Sequence, residues 1–483
     1  MDIKKFQCFI TAAVAINITG HGCVIGFSAV LIPSLRKPES YIHPSPGEES
    51  WIASVIGFAL IIGNLITIPS LDRLGRKKLH LLTIFPTLIG WFLLNMVESV
   101  TALIIVRVMQ GVSMGLLGPL GSIIIAEMTD PKNRGAFLTT ISLSLTLGVL
   151  FSHSIGTFLS WQQTAIVCSS LPFISLVMII FTPESPTFLI AKGRYDEASQ
   201  VFFWLRGFSK QKEDELRKMV EARSMIRKRS IADEYLTASE KIKRSLRYLR
   251  NTLKKPEFYK PIVIMLHMYT LFQFAGTNVI SSYATDIIKD VVGAEANRKA
   301  LMVALDVERL TCNLLTIFLM KSVKRRTLLF STGGICVISY LSKALYVYGK
   351  HNNLLPSDSQ WIPISLIGVY MASATILSSI PLALSGELFA LQYKGLGGGI
   401  SILALSLNFF VAVKCFPLLQ MAIGLPWTYC LYGGVVAYCL MIAFMMLPET
   451  KDRTLQDIEN NFKNLTNRDL QSAKPLNGDV ESK

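Results

Sequence analysis

Charged residues are scarce in this chain of 483 residues, since Asp, Glu, Lys and Arg together make up only 17% of it. The 8 cysteines lack the close spacing of metal ligands or of a disulfide framework. No nucleophile lies beside a base in a catalytic pattern. These absences argue against a soluble domain, and they predict a protein that is not an enzyme and holds no metal or other cofactor.

Apolar residues dominate instead, because 51% of the chain is hydrophobic and its mean hydropathy is +0.44. A helix needs about 20 mostly apolar residues to cross a bilayer, and about twelve such runs follow one another along the sequence. That number favours a polytopic α-helical protein over a β-barrel. The lipid bilayer is therefore the first partner that the sequence predicts.

The net charge of +15 lies mostly in loops that alternate with the apolar runs. The basic loops, including 73–78, 132–134 and 321–326, all fall on one side of the predicted membrane. This distribution is a topology signal and not a nucleic-acid footprint, so we expect no nucleic-acid partner. It predicts a multi-pass protein of the plasma membrane with both termini in the cytoplasm.

A short basic loop, Asp72-Arg73-Leu74-Gly75-Arg76-Lys77-Lys78, joins two of the apolar runs. The excess of basic residues in cytoplasmic loops explains its charge but not its order of acid, base, glycine and bases. In that order a carboxylate can pair with an arginine, while the glycine permits a tight turn. The loop resembles the signature between the second and third helices of the major facilitator superfamily.

Later motifs narrow this resemblance to the sugar porter family, and within it to the facilitated trehalose transporter-like proteins of insects. They are Glu127 with Arg134-Gly135, Pro183-Glu184-Ser185-Pro186, and Pro448-Glu449-Thr450-Lys451. The resemblance implies an all-α membrane fold, in which twelve transmembrane helices form two pseudo-symmetric six-helix halves. The halves would be 1–185 and 259–450, joined by cytoplasmic linker helices in 186–258 and followed by a cytoplasmic tail, 451–483.

Three amide side chains stand where the resemblance implies sugar contacts: Gln273, Asn278 and Asn408. An amide offers donors and acceptors at once, which suits the hydroxyl groups of a polyol. The alternative is that these polar residues join neighbouring membrane helices.

Four further residues complete the expected pocket. Phe272 replaces a glutamine of the family motif and Phe409 a tryptophan, and with Phe27 they would give apolar contacts to a sugar ring. Ser28 stands where proton-coupled relatives carry an aspartate, and the first apolar run holds no acidic residue. This favours passive transport.

The eighth apolar run is unusual, because it contains Asp306, Glu308 and Arg309. Charges at such depth face a cavity or one another. Two interpretations stay open: an internal ion-pair network, or a pocket altered for a charged or polar ligand, with Arg309 in place of an amide. For Arg107 in the fourth run, snorkelling to the outer surface competes with an inward-facing role, and for Lys343 we expect snorkelling.

An inner gate is also implied by the resemblance. We expect Glu127 to pair with Arg134, Asp72 with a nearby arginine, and Glu387 with Lys394. These pairs would close the inner face in the outward-open state and break when the halves rock apart.

The corresponding loop of the second half, 321–326, lacks the acid and the glycine of the first. It keeps Arg325 and Arg326, which we include in the inner gate. We therefore interpret it as a degenerate copy that still marks an internal repeat.

These patterns predict a facilitative carrier for a neutral sugar, either trehalose or a monosaccharide, that works by alternating access. One alternative is a non-transporting sugar sensor on the same fold. Another is a carrier of a non-sugar charged or polar solute, for which Arg309 is the reason.

Overall fold

The computed structural model describes residues 3–130, 134–221, 238–293, 296–354, 360–390, 393–451, 453 and 455–463. Within these ranges the chain forms helices joined by loops, and it contains no β-strand. Part of the predicted linker (222–237) and most of the predicted tail (464–483) lie outside the described residues.

Six long helices, which we call the N-terminal half, come first: α1 (Ile3–Leu35), α2 (Pro46–Leu74), α3 (Arg76–Leu93), α4 (Val100–Met128), α5 (Arg134–Phe158) and α6 (Trp161–Ile180). Shorter helices follow: α7 (Pro186–Ala191), α8 (Tyr195–Arg206), α9 (210–221) and α10 (Ala238–Leu253). The C-terminal half comprises α11 (Pro256–Phe274), α12 (Thr277–Val291), α13 (Arg298–Ser322), α14 (Arg325–His351), α15 (Trp361–Glu387), α16 (Lys394–Ile423) and α17 (Leu425–Met446). A short helix, α18 (Leu455–Phe462), comes last.

In the described part of the chain, 11 helical stretches are long and apolar enough to cross a membrane. One of them, Pro256–Val291, contains both α11 and α12. α13 is a twelfth long helix, of 25 residues, and its internal charges make it less apolar than the others. The prediction of a twelve-helix all-α membrane protein is confirmed.

Serine caps set where two helices begin at one face of the helix bundle. We call this face the outer face and the opposite one the inner face, after the predicted topology. Ser45 and Glu48 form a reciprocal pair of side chain-to-backbone hydrogen bonds at the start of α2. Ser160 and Gln163 do the same at the start of α6. The first N–H groups of a helix have no partner within it, so these side chains satisfy donors that would otherwise be left open.

Glycines allow the helices of the N-terminal half to touch through their backbones. A Cβ atom on Gly22 of α1 would lie 2.2 Å from a backbone oxygen of α5, and one on Gly148 of α5 would lie 2.0 Å from a backbone oxygen of α1. α2 and α4 cross in the same way at Gly63 and Gly115. Lipid does not drive apolar helices together, so this close packing holds the half together.

Three helix pairs join the two halves: α2 with α16, α5 with α13, and α1 with α12. Most of the predicted pocket residues lie on these helices or on the adjoining α11. The interface between the halves is therefore the region in which a site has to be sought.

Candidate functional site: the interface between the two halves

A broken membrane helix lies at the centre of the C-terminal half. α11 ends and α12 begins around Gly276, whose φ of 84° is in the left-handed region that favours glycine. The freed carbonyl groups are satisfied by two tyrosines: Tyr340 donates to Phe274 at 2.9 Å and Tyr370 donates to Ala275 at 2.7 Å. Irregular backbone at this depth is tolerated where protein groups bind it.

The break brings two of the predicted amides together. Asn278 Nδ2 donates to Gln273 Oε1 at 2.8 Å, and both side chains are buried. Gln273 also reaches towards the carbonyl of Leu405 on α16, with the two atoms 3.5 Å apart. Asn408 lies one turn further along α16, half-buried, and donates to Ala404 at 2.9 Å. Gln273 and Asn278 therefore form a polar pair that borders α16, while Asn408 binds a carbonyl of its own helix.

Ser28 accepts a hydrogen bond from a buried arginine, Arg107. Arg107 is 0% exposed, so the snorkelling interpretation is wrong for it. Its guanidinium donates to Ser28 Oγ at 2.5 Å and to Gln110 Oε1 at 3.1 Å, and it lies 6.0 Å from the Phe27 ring centroid. Because these partners are neutral, the cation is held by oxygen atoms and not by a carboxylate.

No ion pair joins Asp306, Glu308 and Arg309 to one another, although Arg309 interacts electrostatically with Asp306. Arg309 donates to Ser281 Oγ on α12 at 2.5 Å, and Asp306 contacts His153 on α5, also at 2.5 Å. Glu308 lies on another side of the helix, towards Gly368 on α15. The interpretation of an ion-pair network within α13 is therefore wrong about the partners, because these side chains point to different neighbouring helices.

The two aromatic replacements differ in their surroundings. Phe409 is 3% exposed and packs on α2, where a Cβ atom on Gly57 would lie 2.4 Å from the ring. In this conformation Phe409 thus fills the contact between α2 and α16. Phe272 on α11 is half-buried.

The inner end of the N-terminal half is braced by four residues that we call the N-terminal clamp: Arg76, Glu127, Glu184 and Ser185. Arg76 binds the Glu127 carboxylate through two nitrogens, at 2.8 and 2.7 Å. Ser185 Oγ also donates to Glu127, and the backbone N–H of Arg76 donates to Glu184 at 2.8 Å. The pairing of Glu127 with Arg134 was predicted for the outward-open state and stays a prediction, because in this conformation Arg76 occupies the carboxylate.

The C-terminal half has an equivalent group, the C-terminal clamp: Arg325, Glu387, Glu449 and Thr450. Arg325 binds Glu387 at 3.2 Å, Thr450 Oγ1 donates to Glu387 at 2.6 Å, and the backbone N–H of Arg325 donates to Glu449 at 3.0 Å. The predicted partner of Glu387, Lys394, instead donates to the carbonyl of Gly386 at 3.3 Å. That pairing, also predicted for the outward-open state, stays a prediction.

Three other residues of the predicted inner gate have different surroundings. Asp72 and Arg73 are exposed, and Asp72 forms no ion pair with any described residue, so its predicted arginine partner is not found. Arg326 donates to the carbonyl of Leu447 at 2.5 Å and, through its backbone, to Glu449 at 3.1 Å.

The outer face is closed by charged side chains that join the halves. Arg36, just beyond α1, binds Glu49 at 2.6 Å and Asp286 of α12 at 2.8 Å. The hydrogen bond that the Arg36 guanidinium donates to Glu49 raises the pKa of Arg36 above its usual value. Lys414 on α16 donates to Ser50 at 2.6 Å and lies 4.2 Å from the Trp51 ring centroid.

Hydrogen bonds between the halves stop in the middle of the membrane. Among the described residues, those nearest the inner face are Asn64 to Ser406 at 2.8 Å and Asn313 to Thr146 at 2.9 Å. Each lies about two turns or more from the inner end of its helix. Both clamps stay within their own half, so this conformation is closed outside and has no hydrogen bond between the halves at the inner ends that the structure describes.

Sequence reasoning missed several residues of this interface, among them Arg36, His153 and Lys414. Their signal is an ionisable side chain in or beside an apolar run, which marks a functional position in a membrane protein. Lys343 was expected to snorkel, but it is 1% exposed and its Nζ lies 3.1 Å from the Tyr370 ring centroid. The rings of Tyr340, Tyr370 and Tyr429 surround its amino group in place of water.

Known proteins share this arrangement over most of the chain. The family described as Sugar (and other) transporter matches residues 8–462. The facilitated trehalose transporter Tret1 of Culex quinquefasciatus is 23% identical over 473 residues, which cover 96% of this chain and 88% of the relative. That of Apis mellifera ligustica is 24% identical over 467 residues, covering 95% and 89%. The chain spans only 50% of the longer Drosophila virilis relative.

Solved structures show the same fold. The inward-open xylose transporter XylE from E. coli has a TM-score of 0.71 at 17% identity, covering 95% of this chain and 100% of that chain. Its partially occluded inward-open structure has a TM-score of 0.70 at 16% identity, covering 92% and 100%. XylE is a member of the major facilitator superfamily. The match over most of the length shows that this chain belongs to the sugar transporter family, whose members are membrane transporters and not enzymes.

Proposed function

We propose that this protein is a facilitative carrier for a neutral sugar, either trehalose or a monosaccharide. The observation that carries the proposal is the amide pair of Gln273 and Asn278 at the broken helix, with Asn408 on the adjoining α16. It offers hydrogen-bond donors and acceptors to a polyol midway across the membrane. The trehalose transporters among its relatives support the choice of sugar class.

Transport would proceed by alternating access between the halves 1–185 and 259–450. The outer contacts of Arg36 and Lys414 would open to admit sugar, while the inner ends would come together. The two clamps keep the inner end of each half intact, so that each half moves as one body. The linker 186–258 and the tail 451–483 would lie in the cytoplasm, with the carrier in the plasma membrane.

Passive transport is supported by the surroundings of Arg107. Its partners Ser28 and Gln110 are neutral, so this part of the N-terminal half holds no carboxylate that could bind and release a proton. A sugar would therefore move down its own gradient.

Uptake of radiolabelled glucose and trehalose by proteoliposomes tests the proposal. We expect saturable uptake that continues without an ion gradient. Gln273→Ala and Asn278→Ala should each raise the KM by about tenfold, because each removes hydrogen bonds to hydroxyl groups. Asn352→Ala, at an exposed amide of the outer loop, is the matched control and should leave uptake unchanged.

Three outcomes would redirect the proposal. Binding of sugar without flux would indicate a sensor. Uptake only by Arg309→Gln would indicate that Arg309 adapts the pocket to a charged or polar solute. Equal KM values for wild type and both amide variants would place the sugar site elsewhere.

A further inference from the structure

His153 lies at the meeting point of the two halves. It is 0% exposed on α5, and its ring contacts α1 of its own half and both α12 and α13 of the other. Nδ1 lies 2.5 Å from Asp306 Oδ2. Nε2 lies 3.0 Å from the carbonyl oxygen of Gly26 and 3.2 Å from that of Ser281.

These partners determine how many protons the pair holds. Carbonyl oxygens only accept hydrogen bonds, so Nε2 must carry a proton. A second proton must lie between Nδ1 and the Asp306 carboxyl group, on whichever of the two donates. Removing either proton would leave a nitrogen lone pair facing an oxygen atom at hydrogen-bonding distance. The closed pair therefore holds two protons in either arrangement.

The other charged groups near the pair have partners of their own or lie away from it. On α13, Arg309 is bound to Ser281, and Glu308 lies towards α15. Three more groups lie on the packed helices or beside them and are also engaged: Arg107 on α4 with Ser28, Asp286 on α12 with Arg36, and Lys299 on α13 with the carbonyl of Thr157. Lys289 and Asp290, the latter bound to Gln420, lie at the outer end of α12. His21 on α1 contacts Ser113. His153 is therefore the neutral-pH titratable group that faces Asp306.

We propose that His153 and Asp306 form a proton-binding site that links the closure of the outer face to the uptake of one proton. The inference rests on the alternating-access part of the proposed function. When the halves separate at the outer face, both side chains meet water, where a carboxyl group is ionised and imidazole is mostly neutral above about pH 6.5. The open pair then holds one proton, and the other leaves to the outside solution.

The proton is taken from the outside and returned to the outside, so it does not cross the membrane with the sugar. Sugar flux stays passive, and acid outside the cell favours the state that is closed outside. One proton released on opening changes the ratio of open to closed molecules by up to about tenfold per pH unit.

A distance measurement that needs no sugar tests this inference. Spin labels would be placed at Lys37→Cys and Lys289→Cys, two exposed sites at the outer ends of opposite halves. The more accessible native cysteines, Cys8, Cys415 and Cys430, would be replaced by alanine. Pulsed electron paramagnetic resonance then gives the fractions of short and long distances between pH 6 and pH 8.5.

In the otherwise wild-type protein we expect the ratio of long to short distances to rise by up to about tenfold per pH unit above pH 6.5. His153→Gln removes the titrating ring, and Asp306→Asn satisfies the ring with a single proton, so each should give a flat profile. His267→Gln and His43→Gln, outside the pair, should keep the slope.

A flat profile in the wild-type background, or a slope that persists in His153→Gln and Asp306→Asn, would overturn the inference. Elution as a single species in detergent shows that a variant is folded. One folded variant of the two is sufficient to test the inference. If the distance depends on pH but the protein does not transport sugar, this inference stands and the proposed function is overturned. Sugar uptake with a pH-independent distance would do the reverse.

Discussion

The two clamps at the inner face use the same contacts on different sequences. In each half an arginine after the short loop binds a glutamate at the end of a long helix, Arg76 with Glu127 and Arg325 with Glu387. In each half a second glutamate, Glu184 or Glu449, accepts hydrogen bonds from the first N–H groups of the helix that follows the short loop. Ser185 and Thr450 complete the pattern.

The difference between the clamps lies in the loop and in the strength of the arginine contact. The first loop turns at Gly75 with a φ of 83°, whereas the second starts its helix at Lys324 with a φ of −63° and needs no glycine. Arg76 binds its glutamate through two nitrogens, and Arg325 through one, at 3.2 Å. Each clamp therefore depends on its arginine and its two glutamates, while the acid and the glycine of the loop are particular to the first half.

We expect the largest difference between the two halves when the residue that begins the helix after each loop is replaced. Gly75→Ala would place a Cβ atom 2.4 Å from Glu184 Oε2, and a non-glycine residue at that φ costs roughly 1–3 kcal/mol. We expect a large loss of folded protein, measured by fluorescence-detected size-exclusion chromatography. Lys324→Ala is the control at the equivalent position and should be tolerated. Equal yields for both variants would contradict the comparison.

We expect the second largest difference when the glutamate that binds the arginine of each clamp is replaced. Glu127→Gln removes a bidentate charged contact, and Glu387→Gln a single one, so we expect transport to fall roughly tenfold and roughly threefold, respectively. Both carboxylates lie at the edge of their half, so protein at the surface should stay near the wild-type level. Uptake rates normalised to surface biotinylation measure this. A larger loss for Glu387→Gln would reverse the order of the clamps.

A smaller effect is expected when each arginine is replaced by lysine. Lysine keeps the charge but cannot bind a carboxylate through a planar fork. Arg76→Lys should therefore lower the transport rate by roughly threefold and Arg325→Lys by less than about twofold. Side-by-side uptake assays of both variants would show whether the number of nitrogens in contact sets the strength of each clamp.

The smallest effect concerns pH. Burial acts to raise the pKa of Glu449, but hydrogen bonds from the backbone N–H groups of Lys451, Arg326, Arg325 and Thr450 hold it below its usual value. The N–H groups bind the carboxylate, so the stabilisation is present above the unfolded pKa of about 4.3. It is lost as the pH falls through the lower folded value. Melting curves between pH 7 and pH 3 should show Glu449→Gln converging on the wild type only at the acidic end.

The sequence pointed to Arg76, Glu127, Arg325 and Glu387 as gate residues, but it did not reveal how they pair in this conformation. Glu127, Arg134, Glu387 and Lys394 were paired because each pair lies seven residues apart in the chain. In the folded protein Arg76 reaches Glu127 across 51 residues, and Arg325 reaches Glu387 across 62. Spacing along one helix end does not reveal which neighbouring loop approaches it, and that approach decides the pair.

In the pocket, too, the sequence predicted positions, while the structure showed which residues contact one another. Gln273 and Asn278 were predicted from their motif, and they meet because both flank one helix break. Phe409 was expected beside a sugar, but Gly57 on α2 leaves room for its ring between the halves. His153 carried no motif at all, and its partner lies 153 residues away.

The amino-acid sequence by itself determined the membrane class, the number of spans and the positions of the loop motifs. These properties depend on local composition and spacing, which are visible along a single chain. Only the tertiary structure decided the partners of Arg36, Arg107, His153 and Asp306. A charge buried among helices must take the nearest polar group, and that group is set by how the helices pack and not by distance along the sequence.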